Sequence, residues 1–228
     1  MAIQETGPGA PLEYGWGARP QQASVARTVF AQVMFLVAVT VGFFAAGAWL
    51  GRDLTFGWAI GAWIGALVLV IAMSFSRKAG AGQVGMLLLF GVGVLFGMAL
   101  GPTLAEYAAA PDGAELIARA AGLTGLFIGG LGTVGYLTKR DLSWLGRVSF
   151  FALLGLILFG VVMIFVQIPN GQIIWSVLGL VIFAGYTVFD FWRMRRAGED
   201  DVPLIALSIF LDVVNVFLFI LTLLSGDR

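Results

Sequence analysis

Seven apolar runs separated by short polar stretches set the pattern of this chain. They occupy residues 29–50, 54–75, 84–104, 120–138, 148–166, 173–189 and 204–224. Each is close to the ~20 residues that carry an α-helix across a bilayer's hydrocarbon core. The pattern predicts an all-α, integral membrane bundle of seven helices. Asp212 is the sole charged residue inside a run, and Asp190 stands directly after the sixth, which is expected to continue through Trp192. That segregation points to membrane spans rather than buried helices of a water-soluble protein. Residues 1–28 are polar and broken by glycine and proline (Gly7, Pro8, Gly9, Pro11 among them). They read as a flexible tail ahead of a bundle over 29–226. No apolar stretch follows a basic start, so the tail does not read as a cleaved signal peptide. An alternative six-span topology would make 204–224 a re-entrant hairpin.

Composition narrows the chemistry. The chain of 228 residues is 60% hydrophobic and 11% charged, with 13 basic and 13 acidic side chains. A soluble domain is about a quarter charged. This excludes a soluble globular enzyme, a disordered chain and a basic nucleic-acid binder. There is no cysteine, so no disulfide and no thiolate nucleophile or metal ligand. There is no histidine, which removes imidazole acid–base chemistry and imidazole ligation. Neither a phosphate-binding glycine loop nor a metal-ligand cluster occurs. The expectation is a protein that is not an enzyme and has no resident cofactor.

Charge sets an expected orientation. Arg19, Arg27, Arg77, Lys78, Lys139, Arg140, Arg147, Arg193, Arg195 and Arg196 fall on one side of a seven-span topology. Arg52, Arg119 and Arg228 fall on the other. By the positive-inside rule the N-terminus is cytoplasmic and the C-terminus periplasmic or outside.

Several polar and small residues have plain structural readings. Of the 32 glycines, Gly57, Gly61 and Gly65 repeat every fourth residue in the second run. Gly93, Gly97 and Gly101 do so in the third. Such faces let helices approach closely, or serve oligomerisation or sliding. Gly101 and Pro102 are expected to end or bend the third helix. Asp141 and Ser143 read as caps of the fifth. Trp49, Trp58, Trp144 and Trp192 fit an interfacial belt. Glu199, Asp200 and Asp201 read as a solvated helix start. Glu106, Asp112 and Glu115 could draw cations to the outer mouth, although a hydrated loop explains them equally well.

The residues with chemical potential are in the last two runs. Intramembrane carboxylates are expensive and are functional candidates for that reason. Helical rise places Asp190 and Asp212 at similar depths on adjacent helices. Two carboxylates close together in low dielectric cannot both ionise cheaply and are expected to share a proton. Asn215 lies three residues after Asp212, on the same face. Carboxylate and amide oxygens suit a hard cation such as Ca²⁺. The plainer reading pairs Asp190 with Arg193, three residues on.

The stretch from Ala206 to Leu218, containing Leu211-Asp212-Val213-Val214-Asn215, closely resembles the closing motif of the Bax inhibitor-1 family. The segment from Gly135 to Gly146 resembles the corresponding loop of the family's bacterial branch. The tyrosine and aspartate stretch ending at Asp190 is a third match. The resemblance spans about residues 25–226. It implies a seven-helix fold with the last helix packed centrally. It also implies that Asp190 and Asp212 form a pH-responsive latch on a slow Ca²⁺ leak, in a multi-pass protein of the bacterial inner membrane. Some bacterial relatives instead bind and restrain a membrane-bound AAA protease, so a non-transporting regulator is the rival expectation. Two departures stand out. Phe191 and Trp192 follow Asp190 where the family often has Thr and Gln. No basic residue lies between Leu54 and Phe75, whereas some members supply an arginine from the second helix. A third reading, an intramembrane aspartyl protease, needs a Gly-x-Gly-Asp turn. Here Ile209, Phe210 and Leu211 precede Asp212.

Overall fold

The structure, a computed structural model, describes residues 20–76 and 81–226, with side chains over 28–75 and 82–226. The helices are α1 (Pro20–Gly51), α2 (Phe56–Ser76), α3 (Ala81–Ala109), α4 (Gly113–Leu137), α5 (Ser143–Phe165), α6 (Gly171–Met194) and α7 (Val202–Ser225). A short 3-10 turn, Glu199–Asp201, leads into α7, as the acidic run suggested. No strand occurs among the described residues. All seven helices are long and apolar enough to cross a membrane. α7 is one continuous helix, so the re-entrant hairpin does not form.

Most helices outrun their apolar runs because a turn at the headgroup level tolerates polar side chains without breaking the backbone ladder. α1 starts at Pro20, so residues 20–28, expected as tail, are helical. Residues 1–19, with Arg19, and Arg77, Lys78 and Arg228 lie outside the described residues, as does the side chain of Arg27. α6 runs past Trp192 to Met194.

Two three-helix groups enclose α7. α3 packs on both α1 and α2, and α6 packs on both α4 and α5. α7 touches helices of both groups. In its span 61% of the most apolar window is buried, against 11–33% for the other six. It is the central helix.

The α1–α3 seam is backbone against backbone. A Cβ added at Gly97 would fall 2.1 Å from the Phe44 carbonyl oxygen, and one at Gly101 2.6 Å from the Gly51 carbonyl carbon. At Gly93 it would fall 2.8 Å from the Thr40 carbonyl oxygen. The opposite wall is also glycine: Gly47 approaches Val94, and Gly51 approaches Met98. Gly57 and Gly61 have the same spacing but pack on nothing among the described residues, since a Cβ at either would meet no atom of them within 4 Å. Spacing defines a face and not what the face meets, and here it faces outward. Gly65 lies against Leu95.

Pro102 does not end α3, which continues to Ala109. The Pro ring removes the bond that the Met98 carbonyl would receive. That carbonyl oxygen lies beside Gly51, 2.5 Å from where a Cβ would stand, so the freed acceptor sits against a bare Cα instead of a side chain.

At the start of α5, Leu142 occupies the cap position without a side-chain cap bond. Asp141 caps from one residue earlier. Its Oδ1 accepts from the Ser143 backbone N–H at 2.9 Å and from the Ser143 hydroxyl at 2.6 Å. Ser143 is thus a donor inside the first turn and not the cap. These two bonds, helped by the guanidinium groups of Arg196 and Arg147, hold the Asp141 carboxyl below its ordinary value. A depressed folded-state value stabilises above the unfolded one and is lost as pH falls through the folded one. Ser143→Ala is expected to move the Asp141 titration back up, read from its carboxyl ¹³C shift against pH. An unmoved midpoint would mean that the bonds do not hold it.

Trp49, Trp58 and Trp144 are exposed, as a belt requires. Trp192 is not in that belt. It is 8% exposed and its indole N–H donates to the Arg140 carbonyl at 2.7 Å. A buried indole needs such an acceptor.

Candidate functional site

α6 and α7 meet along a seam set by a glycine and a ring: Gly179 has no room for a Cβ because the Phe219 ring occupies it. Phe219 also packs edge-on to Trp175, with centroids 5.0 Å apart. This register brings one face of α6, with Phe183, Thr187, Asp190 and Met194, against α7. The spacing of three and four residues is that of one helical face.

Asp190 and Asp212 are each 3% exposed. Asp190 Oδ1 lies 3.3 Å from Arg193 Nη2. The plainer reading of Asp190 is therefore right as far as it goes, since it has an arginine neighbour. The same Nη2 reaches across the seam and donates to Ser208 Oγ on α7 at 2.9 Å. Arg193 also lies over the Phe189 ring, 5.8 Å from its centroid. One guanidinium therefore ties α6 to α7 beside the acidic pair.

Asp212 is placed differently. Its Oδ2 is buried and has no hydrogen-bond partner among the described residues. The charged groups close enough to act on it are Asp190 and Arg193. Tyr186 lies within electrostatic range of both carboxyls. The Thr187 hydroxyl neighbours Asp212, but donates to the Phe183 carbonyl at 2.8 Å. A hydroxyl has one proton to give. A carboxyl oxygen buried without a donor is costly as an anion.

Asn215 does not join the pair. Its amide nitrogen donates to the Leu211 carbonyl of its own helix at 2.8 Å, a bond within α7 and not across the α6–α7 seam. Among the described residues no group of three or more acidic side chains could hold a metal ion. Glu115 is paired with Arg119 one turn on, which partly neutralises the loop expected to draw cations.

Beyond the Arg193–Ser208 contact lies a cavity of about 500 Å³ between α2, α6 and α7. Arg193, Arg196, Ser208 and Ser74 are in its wall. Its α2 wall carries Val70 and Ser74, where no basic residue is available. Arg196 is stacked on Trp192 at 4.0 Å from the ring centroid. Arg195 points to the other side, capping the end of α4 through the carbonyls of Tyr136 (3.0 Å) and Thr138 (2.7 Å). Ser208, Thr187 and Arg195 carried no signal of their own in the sequence, because their roles depend on which residue the facing helix presents.

Residues 26–228 match the family described as "Inhibitor of apoptosis-promoting Bax1". The chain is 30% identical over 213 residues to the inner membrane protein YbhL of Escherichia coli K12, covering 86% of this chain and 88% of that protein. It is 34% identical over 131 residues to a membrane protein of Vibrio cholerae, covering 58% of this chain and 59% of that one. It is also 35% identical over 89 residues to the Golgi anti-apoptotic protein of Vaccinia virus, covering 39% and 38%.

Proposed function

The chain belongs to the Bax inhibitor-1 family, and we propose that it is a pH-sensitive cation leak pathway of a bacterial inner membrane, with Ca²⁺ as the ion. The inner membrane is inferred from the name of its relative YbhL and from seven apolar helices. The proposed orientation has the α6–α7 loop and its arginines in the cytoplasm.

The observation that carries this reading is the asymmetric pair of buried carboxyls. Asp190 has a cation, and Asp212 Oδ2 has no donor. One proton held between the two relieves the cost of the second anion. With that proton in place, Arg193 keeps α6 and α7 together through Asp190 and Ser208. When it leaves, two buried anions repel, and Arg193, the cation that faces them among the described residues, is already engaged. The seam between α6 and α7 then opens towards the polar cavity. Carboxylate oxygens are the ligand type that Ca²⁺ takes. The ion is substrate here and not a resident cofactor.

A second reading, a non-transporting regulator of a membrane complex such as a membrane-bound protease, is favoured by one observation. The outward glycine face of α2, Gly57 and Gly61, packs on nothing among the described residues and would admit a partner helix. The two readings separate in reconstituted vesicles. The leak predicts Ca²⁺ entry above that of protein-free vesicles, read with a trapped indicator. Entry equal to empty vesicles, with co-purification of a stoichiometric partner, would favour the regulator.

A further inference from the structure

A second cavity, of about 970 Å³, lies on the other side of α7 from the arginine cavity. α1 and α4 form its two walls and hardly touch one another, so the space between them is open to the side. Val213 and Phe217 of α7 form part of its floor. Phe191 of α6 completes the floor by packing on Gly132. The wall residues Ala45, Ala121, Gly125 and Gly129 are small and exposed. A Cβ at Gly125 or Gly129 would meet nothing within 4 Å among the described residues. Among the described residues no charged side chain lines the space.

We propose that this groove binds an acyl chain of a phospholipid of the surrounding bilayer. The groove is continuous with the lipid-facing surface of the bundle, where Leu126, Leu137 and Phe35 are 75%, 67% and 67% exposed. An apolar cavity stays dry and takes apolar guests, and the medium beside this one is hydrocarbon. The two ends decide against a transmembrane helix as the occupant. At one end the rings of Phe30 and Tyr136 meet edge-on at 5.2 Å, joining α1 to α4. At the other, Leu104 and Ile117 wall it where α3 passes into α4. From Phe30 to Ala48 the groove follows α1 for ~27 Å at the helical rise, which lies within the ~30 Å hydrocarbon core. A helix ~10 Å across could not cross the bilayer through a groove closed at both ends. A flexible chain entering sideways can fill it.

The test is native mass spectrometry of the full chain, taken from vesicles of phosphatidylethanolamine and phosphatidylglycerol. The wild type is expected to keep a phospholipid adduct through detergent exchange. Gly125→Leu and Gly129→Leu, which fill the groove, should lose it several-fold, while Gly122→Leu, outside the groove, should keep it. Equal adducts in all four proteins, or an adduct with the mass of a free fatty acid only, would overturn the proposal. A spin-label measurement covers the event that the leucine variants fail to fold. The chain has no cysteine, so Gly129→Cys gives a single labelling site. A nitroxide there should be reached by oxygen and shielded from an aqueous nickel chelate. Chelate access, as in a water-filled groove, or dipolar broadening between labels, as with a second copy seated in it, contradicts the proposal.

Discussion

Gly97→Leu is expected to separate α1 from α3 and to cost the bundle about 3 kcal/mol or more, at the upper end of overpacking penalties. The reason is what the new side chain would strike. The Cβ alone would fall 2.1 Å from the Phe44 carbonyl oxygen and 2.7 Å from the Ala48 nitrogen. Both are backbone atoms of a helix, which cannot rotate away as a side chain can. In a membrane no hydrophobic effect holds two helices together, so close van der Waals packing supplies the association. Prising the seam apart by even an ångström weakens its contacts along the length of Gly47, Gly51, Gly93, Gly97 and Gly101 together. Gly61→Leu is the control, because its Cβ meets nothing among the described residues, and it should be neutral or gain up to about 1 kcal/mol from helix propensity. Unfolding in mixed detergent followed by circular dichroism measures both. Equal loss at 61 and 97 would show that spacing, not the seam, governs stability.

Arg193→Gln is expected to give the second large effect, and it couples stability to flux. The substitution leaves Asp190 buried without its cation and removes the donor that reaches Ser208 on α7. Breaking a fully buried ion pair costs about 3–5 kcal/mol. Here the arginine side chain is 40% exposed against 5% for the aspartate, so solvent screens part of the pair and roughly 1–3 kcal/mol is expected. Asp190→Asn in the same background should restore much of the loss, since the stranded anion is gone. A double-mutant cycle reads that coupling directly. In vesicles Arg193→Gln should also raise the leak at neutral pH, because the clamp between α6 and α7 is missing. Loss of stability with unchanged flux would make Arg193 a structural residue alone.

How far the sequence carries can be judged residue by residue. The seven helices are legible because charge is excluded from the runs, and a bilayer enforces that exclusion. Helix ends are less legible, since α1 and α3 continue through polar or proline-bearing turns that the headgroup region tolerates. Gly97 and Gly61 look alike in the chain and differ wholly in the fold, because neighbours on another helix decide. Gly47 and Gly51 carried the same four-residue spacing, and their pairing with α3 explains it. Asp190 and Asp212 stand out as intramembrane acids. The asymmetry between them, with Arg193 on one and no donor on Oδ2 of the other, arises only when α6 and α7 are set in register. Trp192 was misjudged for the same reason, because its position near a helix end suggested lipid while its indole faces the α4–α5 loop.

The most direct test of the shared proton is Ca²⁺ entry into vesicles, measured from about pH 5 to about pH 8 for the wild type, Asp190→Asn and Asp212→Asn. A one-proton latch changes flux by at most about tenfold per pH unit. The wild type is expected to show such a rise as the pair loses its proton. Each asparagine variant should flatten it, since a single remaining carboxyl has no partner with which to share. Three superimposable pH profiles would contradict the account.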